Sequence, residues 1–323
     1  MTRWVVLSSA PLRLSLAGGG SDLPGSSVRT HLVAVALDRR VSVAVVPRPE
    51  TVTARMPPAS GPSTTSLVGL FAARNPRFAV SVISHTPVAA GLGGSGALSV
   101  ALVNAERFVR GRGVGGLSAL MAEAWRWERE LLRRPVGYQD QAVAVFGGCV
   151  EIEAWDKGRQ VRHRDDLAAA FEWLGAHHLL LVDTGVRHDA AEILRGGRGG
   201  RPPAYRTDPD EVAACLVAGD WRQFARILNR QWAEKKRANL RASSPEIDRV
   251  IDWLRAAGVE GFKLVGAGGG GFLLCCMDEH RRDEVERRLA AAGRPNFRPV
   301  LTRTGAELTA GGGAKRCEGQ CDV

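Results

Sequence analysis

Three short glycine clusters, each at the end of a strand-like run, constrain this chain more than any other feature. They are Leu16-Ala17-Gly18-Gly19-Gly20-Ser21-Asp22, Gly91-Leu92-Gly93-Gly94-Ser95-Gly96-Ala97 and Gly266-Ala267-Gly268-Gly269-Gly270-Gly271-Phe272. Glycine at such turns reaches positive φ and lets backbone N–H groups approach a ligand closely, which suits phosphate. The middle cluster opens ALSVALVNAERFVRG, where apolar residues recur at helical spacing up to a glycine stop. The first-turn N–H groups and dipole of such a helix face an anion. A single cluster reads as a tight turn, but three in one chain, one of them heading a helix, read as a ligand-binding framework. Gly91, Gly93 and Gly96 also spell G-x-G-x-x-G, yet RGRGVGGLS and a second helix follow instead of a strand ending in an acid, against a dinucleotide fold. No Gly-Lys-Ser/Thr follows, which excludes a Walker A loop.

Strand-like and helix-like stretches alternate around these clusters. Strands are predicted over 3–16, 33–46 and 78–85, and helices after Gly96, over 117–132 and over 140–146, with CVEIEAW as a further strand. Beyond a polar stretch at 156–166 come strand HHLLLVDTG, helices at 189–196, 209–217, 220–239 and 245–257, strands FKLVG and FLLCCM, and a helix at 279–292. With 323 residues, 45% of them hydrophobic, the chain can bury a large core and divides naturally in two. The pattern predicts an α+β fold with an N-terminal domain over 1–160, a C-terminal domain over 161–309 and a disordered Gly-rich tail over 310–323.

A net charge of +10, from 44 basic and 34 acidic residues, suits a nucleic-acid binder or an enzyme of anionic small molecules. No helix carries a continuous basic stripe and no aromatic-basic string appears, so nucleic acid is not the expected partner. The longest apolar runs fall far short of the roughly 20 residues that cross a bilayer. No h-region of secretory length precedes the first glycine cluster, and a cytoplasmic protein without a membrane partner is expected. The six cysteines fit neither a disulfide framework nor a paired zinc motif.

Several motifs in order resemble the GHMP kinase superfamily and, within it, the D-glycero-D-manno-heptose 7-phosphate kinases. They are APLRLSLAGGGSDLP (10–24), PVAAGLGGSGA (87–97), WERELLRRPVGYQDQAVAVFGG (127–148), DTGVRHDAAEIL (183–194), NRQWAEKKRANLRASSPEID (229–248) and GFKLVGAGGGGF (261–272). The resemblance implies a two-domain GHMP kinase fold: an N-terminal domain like ribosomal protein S5 domain 2 and a ferredoxin-like C-terminal domain, with the active site between them. It also implies ATP and Mg²⁺ as cofactors, a sugar phosphate as the small-molecule partner, phosphorylation of its anomeric O1, and a monomer or homodimer.

The resemblance carries roles onto individual residues. Gly91, Gly93, Gly94, Ser95 and Gly96 would cradle the triphosphate, with Gly268, Gly269 and Gly270 closing the nucleotide site; Ser95 and Glu128 would hold the metal. Asp140 would accept or orient the proton of the sugar hydroxyl, and Arg13 would stabilise developing charge beside it. Ser21, Asp22 and Tyr138 would bind the sugar, and Arg187 and Lys235 its existing phosphate. Read without the family, Asp140 is equally a helix-capping residue, Glu128 and Lys235 sit on solvated helix faces, and Asp22 is a turn aspartate. Two departures stand out: the family usually has Ser where Gly94 and Gly96 stand, and the segment after Pro24 is shorter than usual. A related sugar-1-kinase acting on an unphosphorylated hexose such as fucose, and a catalytically silent sugar and nucleotide sensor, remain open as alternatives.

Overall fold

The β-branched residues of the first fifty positions form two long antiparallel strands, β1 (Val5–Ala17) and β2 (Thr30–Pro47). The computed structural model describes residues 4–23, 30–48, 66–113, 115–155, 158–187, 193 and 208–311. Helix α1 (Leu67–Arg74), capped by the Ser66 hydroxyl accepting the Gly69 N–H, leads into β3 (Phe78–Ser84), which pairs with the second half of β2. Helices α2 (Gly94–Val109), α3 (Leu117–Arg126) and α4 (Gln139–Phe146) follow, and α3 continues through a π-helical turn at Trp127–Leu131. Strand β4 (Cys149–Trp155) pairs with the first half of β2, and β5 (Gly158–His163) pairs with β4. The centres of β1 and β2 are buried over consecutive residues, Ala10 to Leu14 and Leu32 to Leu37, so both faces of this sheet are covered. Helices α2 and α4 pack against both strands.

The second half runs α5 (Asp165–His177), β6 (Leu179–Asp183), α6 (Pro209–Val217), α7 (Trp221–Ala238), α8 (Pro245–Ala256), β7 (Gly261–Leu264), β8 (Phe272–Cys276), α9 (Glu279–Ala291) and β9 (Asn296–Phe297). Its sheet is antiparallel in the order β7-β8-β6-β9, which with its intervening helices is the βαββαβ arrangement of a ferredoxin-like domain. Alternation along β6 splits the cores. Leu179 and Leu181 join the large core shared with the first sheet, while Leu180 and Val182 face a second core with Trp232, Ile251 and Leu254.

The chain then returns to its first half. Leu301 bridges Leu37, the Thr302 N–H donates to the Ala36 carbonyl at 3.0 Å, and β10 (Glu307–Gly311) pairs with β1. Ala310 and Gly311, expected in the tail, are therefore strand residues opposite Val6 and Val5, because β1 offers them an open edge. The expected boundary at 160/161 falls inside β5, and the polar stretch there is largely an edge strand. Helix α5 was not expected, although Leu167, Phe171 and Leu174 bury one face of it at helical spacing. The helix expected at 189–196 lies outside the described residues apart from Ile193, as do 312–323 with Cys317 and Cys321. Cys149, Cys215, Cys275 and Cys276 are buried free thiols. Among the described residues no helix is long and apolar enough to cross a membrane.

Helix α7 lies directly on β7: a Cβ at Gly261 would sit 2.4 Å from Ala225 Cα and 2.6 Å from the Ala225 carbonyl oxygen. Overpacking of this kind costs about 1–3 kcal/mol. Gly261→Ala is therefore expected to lower the free energy of unfolding in urea by that amount, and an unchanged unfolding curve would show that the two elements separate freely.

Candidate active site

The site is built outward from Arg13 on β1. Register irregularities at Pro11/Leu12 and Ser15/Ala17 bracket this residue, and such bulges re-aim side chains next to sites. The Arg13 backbone N–H donates to the Leu92 carbonyl at 2.9 Å. Its guanidinium donates from Nε to Asp140 Oδ1 at 2.8 Å and from Nη1 to the Gly91 carbonyl at 2.6 Å. One buried cation thus fixes the middle glycine loop and the first turn of α4 together. The glycines allow this closeness. A Cβ at Gly93, whose φ is +72°, would lie 2.8 Å from Arg13 Cγ, and one at Gly96 would lie 2.4 Å from Asp140 Cβ. Glycine at 96, where the family usually has serine, is what lets α2 touch α4 at Asp140. At Gly94 the nearest atom to an added Cβ is Leu12 Cδ2 at 3.9 Å, so no such constraint acts there.

Helix α2 begins at Gly93 with no side-chain cap, and its first intrahelical bond is Ala97 N–H to the Gly93 carbonyl at 3.0 Å. The N–H groups of Gly94, Ser95 and Gly96 precede that bond, a ready anion site. The Ser95 hydroxyl donates to Glu128 Oε2 at 2.7 Å. Glu128 is buried in the π-helical turn, a feature often found at functional sites. Gln141 Nε2 donates to its Oε1 at 2.8 Å, and Arg134 stands 3.6 Å from Oε2. Burial pushes the Glu128 carboxyl above its usual range; the Ser95 hydroxyl opposes that push, Asp140 adds to it, and Arg134 and Gln141 also oppose it. A serine hydroxyl and a carboxylate converging beside a helix head are the hard oxygen donors that Mg²⁺ takes, so these residues fit the ion that the family implies.

Next to this head lies a cavity with two walls. Arg13, Ser15, Asp22, Gln139 and Asp140 line one side, Gln231, Lys235 and Lys263 the other. Asp22 Oδ2 accepts the Gln139 N–H at 2.9 Å, and Gln139 Nε2 donates to the Ser15 hydroxyl at 2.9 Å. Burial raises the Asp22 carboxyl above its ordinary value, and the Gln139 backbone N–H opposes that rise. Lys235 Nζ donates to the Leu264 and Gly266 carbonyls at 2.7 and 2.8 Å, and burial pulls it down to about 7. Lys263 Nζ donates to Gln231 Oε1 at 2.6 Å and to the Leu16 carbonyl at 3.2 Å, tying the C-terminal domain to the end of β1.

Other residues expected in the site lie elsewhere. The Ser21 hydroxyl donates to the Gly18 carbonyl at 2.7 Å and closes its own turn, outside the cavity lining. Tyr138 is also outside the lining; its ring packs under Arg159, 5.0 Å from the guanidinium carbon. Arg187 pairs with Asp183 through Nη1 and Nη2 at 2.8 and 2.5 Å, away from the cavity. Gly268, Gly269 and Gly270 pack against Ala242, Ile193 and Val186 respectively, and the lining instead takes Gly266 and Ala267 from their cluster. Conversely, Ser15, Gln139, Gln141 and Gln231 carry contacts that the sequence reading did not assign. The Gln-Asp-Gln run around Asp140 marks two of them as a group without saying what each one touches.

An uncapped helix head, a serine–glutamate pair and a carboxylate held by arginine, set between an S5-like sheet and a ferredoxin-like sheet, define a small-molecule kinase of the GHMP type. The family model for the GHMP kinase N-terminal domain matches residues 51–148 and that for the C-terminal domain residues 212–295, together more than half of the chain. The protein belongs to the GHMP kinase family. It is 27% identical over 203 residues to D-glycero-alpha-D-manno-heptose 7-phosphate kinase of Campylobacter jejuni, an alignment spanning 59% of this chain and 58% of that relative. Its fold resembles a D-glycero-D-manno-heptose 1-phosphate kinase from Bacteriodes thetaiotaomicron, with a TM-score of 0.68 at 22% identity, covering 94% of this chain and 98% of the other. It also resembles Lactococcus lactis galactokinase complexed with galactose, with a TM-score of 0.65 at 13% identity over 94% and 95% of the two chains.

Because a Cβ at Gly96 would strike Asp140, Gly96→Ala is expected to shift that carboxylate while leaving the backbone N–H groups in place. Misplacing a reacting group by about 1 Å can cost ~100-fold in rate. Turnover should fall by about that factor with nucleotide affinity nearly unchanged; equal loss of both would mean that the whole helix head has moved.

Proposed function

We propose that this protein is an ATP-dependent, cytoplasmic sugar kinase that phosphorylates the anomeric O1 of D-glycero-D-manno-heptose 7-phosphate, giving the 1,7-bisphosphate for nucleotide-heptose synthesis. The observation that carries this reading is the juxtaposition of the Asp140 carboxylate with the uncapped head of α2 and the Ser95–Glu128 pair. Asp140 accepts the proton of the attacking hydroxyl, or holds it in line, as the acceptor oxygen bonds to the γ-phosphorus, the β–γ bridging bond breaks and ADP leaves. Arg13 keeps that carboxylate oriented, and its charge lies where negative charge accumulates. Bound by Ser95 and Glu128, Mg²⁺ would supply charge neutralisation at the phosphates. The heptose is favoured over other acceptors by the C. jejuni relative and by a cavity with carboxylates on one side and lysines on the other.

An ADP-release assay with ATP and heptose 7-phosphate tests the reading. Asp140→Asn should lower kcat by about 10²–10⁴-fold while a fluorescent ATP analogue still binds within about threefold of the native affinity. Undiminished turnover would remove Asp140 from the chemistry.

A further inference from the structure

Three successive residues at the start of α4 account for the three carboxylates of the site: the Gln139 N–H donates to Asp22, Asp140 pairs with Arg13, and Gln141 Nε2 donates to Glu128 Oε1 at 2.8 Å. The last of these contacts is the least expected from packing. Gln141 is 1% exposed, and the residues that follow it on α4, Ala142, Val143, Ala144 and Val145, are buried and apolar. Its Oε1 is buried as well and has no hydrogen-bond partner among the described residues. A buried amide with one end unsatisfied costs stability that leucine or methionine would not. Its orientation is nonetheless fixed, because turning the amide over would set Oε1 against the Glu128 carboxylate, acceptor to acceptor.

From this we infer that Gln141 is a positioning residue, which holds the Glu128 carboxylate ready for a divalent cation. The inference rests on the reading of Ser95 and Glu128 as the residues that bind Mg²⁺. Each oxygen of Glu128 has its own donor, Gln141 at Oε1 and the Ser95 hydroxyl at Oε2. The terminal torsion of a glutamate is broad, so a carboxylate without such a donor turns readily. Donation to Oε1 opposes that rotation and keeps Oε2 beside Ser95. The donor is also neutral. A lysine or arginine in its place would cancel the charge that attracts the ion, whereas an amide anchors the carboxylate and leaves its charge intact. Arg134 stands 3.6 Å from Oε2, beyond hydrogen-bond distance.

Partners that orient a ligating side chain are worth about 10–100-fold in metal affinity. Gln141 is absent from the cavity lining, and its side chain reaches Glu128 alone among the described residues. Asp140, one position earlier, is held independently by Arg13 and packed against Gly96. Loss of the Gln141 amide should therefore weaken the hold on the cation and leave the helix head that faces the phosphates unchanged.

Electron paramagnetic resonance of free Mn²⁺, titrated against protein saturated with a non-hydrolysable ATP analogue, reads the metal affinity directly. Gln141→Met is expected to bind Mn²⁺ at least about 10-fold more weakly, while the analogue without metal binds within about threefold of the native affinity. Gln141→Asn, whose shorter side chain falls short of Glu128, should lose about as much. In a Glu128→Ala background Gln141→Met should change Mn²⁺ affinity by less than about twofold, since a residue that acts through Glu128 then has nothing to position. Native Mn²⁺ affinity in either folded variant, or an undiminished further loss in the Glu128→Ala background, overturns the inference. Should the variants not fold, the native protein decides: the assigned side-chain amide resonance of Gln141 should shift when Mg²⁺ joins the analogue complex, and an unmoved resonance overturns it. Unchanged Mn²⁺ affinity in Glu128→Ala alone would bring down the assignment of the metal-binding pair, and this inference with it.

Discussion

The Arg13 guanidinium holds the site in register. It is nearly buried on β1, and its two partners come from different parts of the chain, the Gly91 carbonyl of the middle glycine loop and the Asp140 carboxylate of α4, while the Arg13 backbone N–H adds a bond to the Leu92 carbonyl of the same loop. Charge-assisted bonds of this kind are short and directional. Removing one member would leave the other as an uncompensated charge in a confined space. The loop that leads into α2 and the carboxylate of α4 are therefore positioned by one group, and the distance between them is set by strand β1 rather than by either helix.

The three glycine clusters do three different physical jobs. In the middle cluster, missing side chains let a helix head approach Arg13 and Asp140. In the third, the glycines let one loop lie against another. A Cβ at Gly266 would meet the Gly91 carbonyl oxygen at 2.7 Å, one at Gly271 would meet that of Ala90 at 2.3 Å, and the Phe272 N–H donates to that same Ala90 oxygen at 3.1 Å. These contacts clamp the two domains together behind the site, and Lys263 and Gln231 add a second clamp on the Leu16 carbonyl. The first cluster forms a compact turn closed by Ser21, and its backbone is part of the cavity wall. The cavity is consequently a seam between domains, where ligands commonly lie.

Much of the architecture was legible in the residues. Strands with dense β-branching, the helix opening at the middle cluster and the alternation of helices and strands in the second half follow from local pattern and turn chemistry, the ferredoxin-like arrangement was implied by the family resemblance, and the expected segments appear within a few residues of their bounds. Strands β9 and β10 were not legible, because two-residue and edge strands exist only where another strand offers free hydrogen-bonding groups. In the site, Asp140, Arg13, Ser95 and Glu128 are drawn together from four separate stretches. Ser21, Tyr138 and Arg187 have the right chemistry near the right motifs, yet each is engaged by a turn, a neighbouring arginine or an aspartate outside the cavity.

By itself the amino-acid sequence determined which segments become strands and helices, where glycine must stand and which side chains carry reactive groups, since these depend on neighbours within a turn or a pleat. Only the tertiary structure decided which of those groups share a cavity. Lys235 and Lys263 lie 28 positions apart on a helix and a strand, and neither spacing nor composition reveals that both face Asp22 and Asp140 across one space. That outcome depends on the packing of α7 against β7 and of the C-terminal domain against the end of β1, contacts between residues far apart in the chain, whose geometry no local pattern encodes.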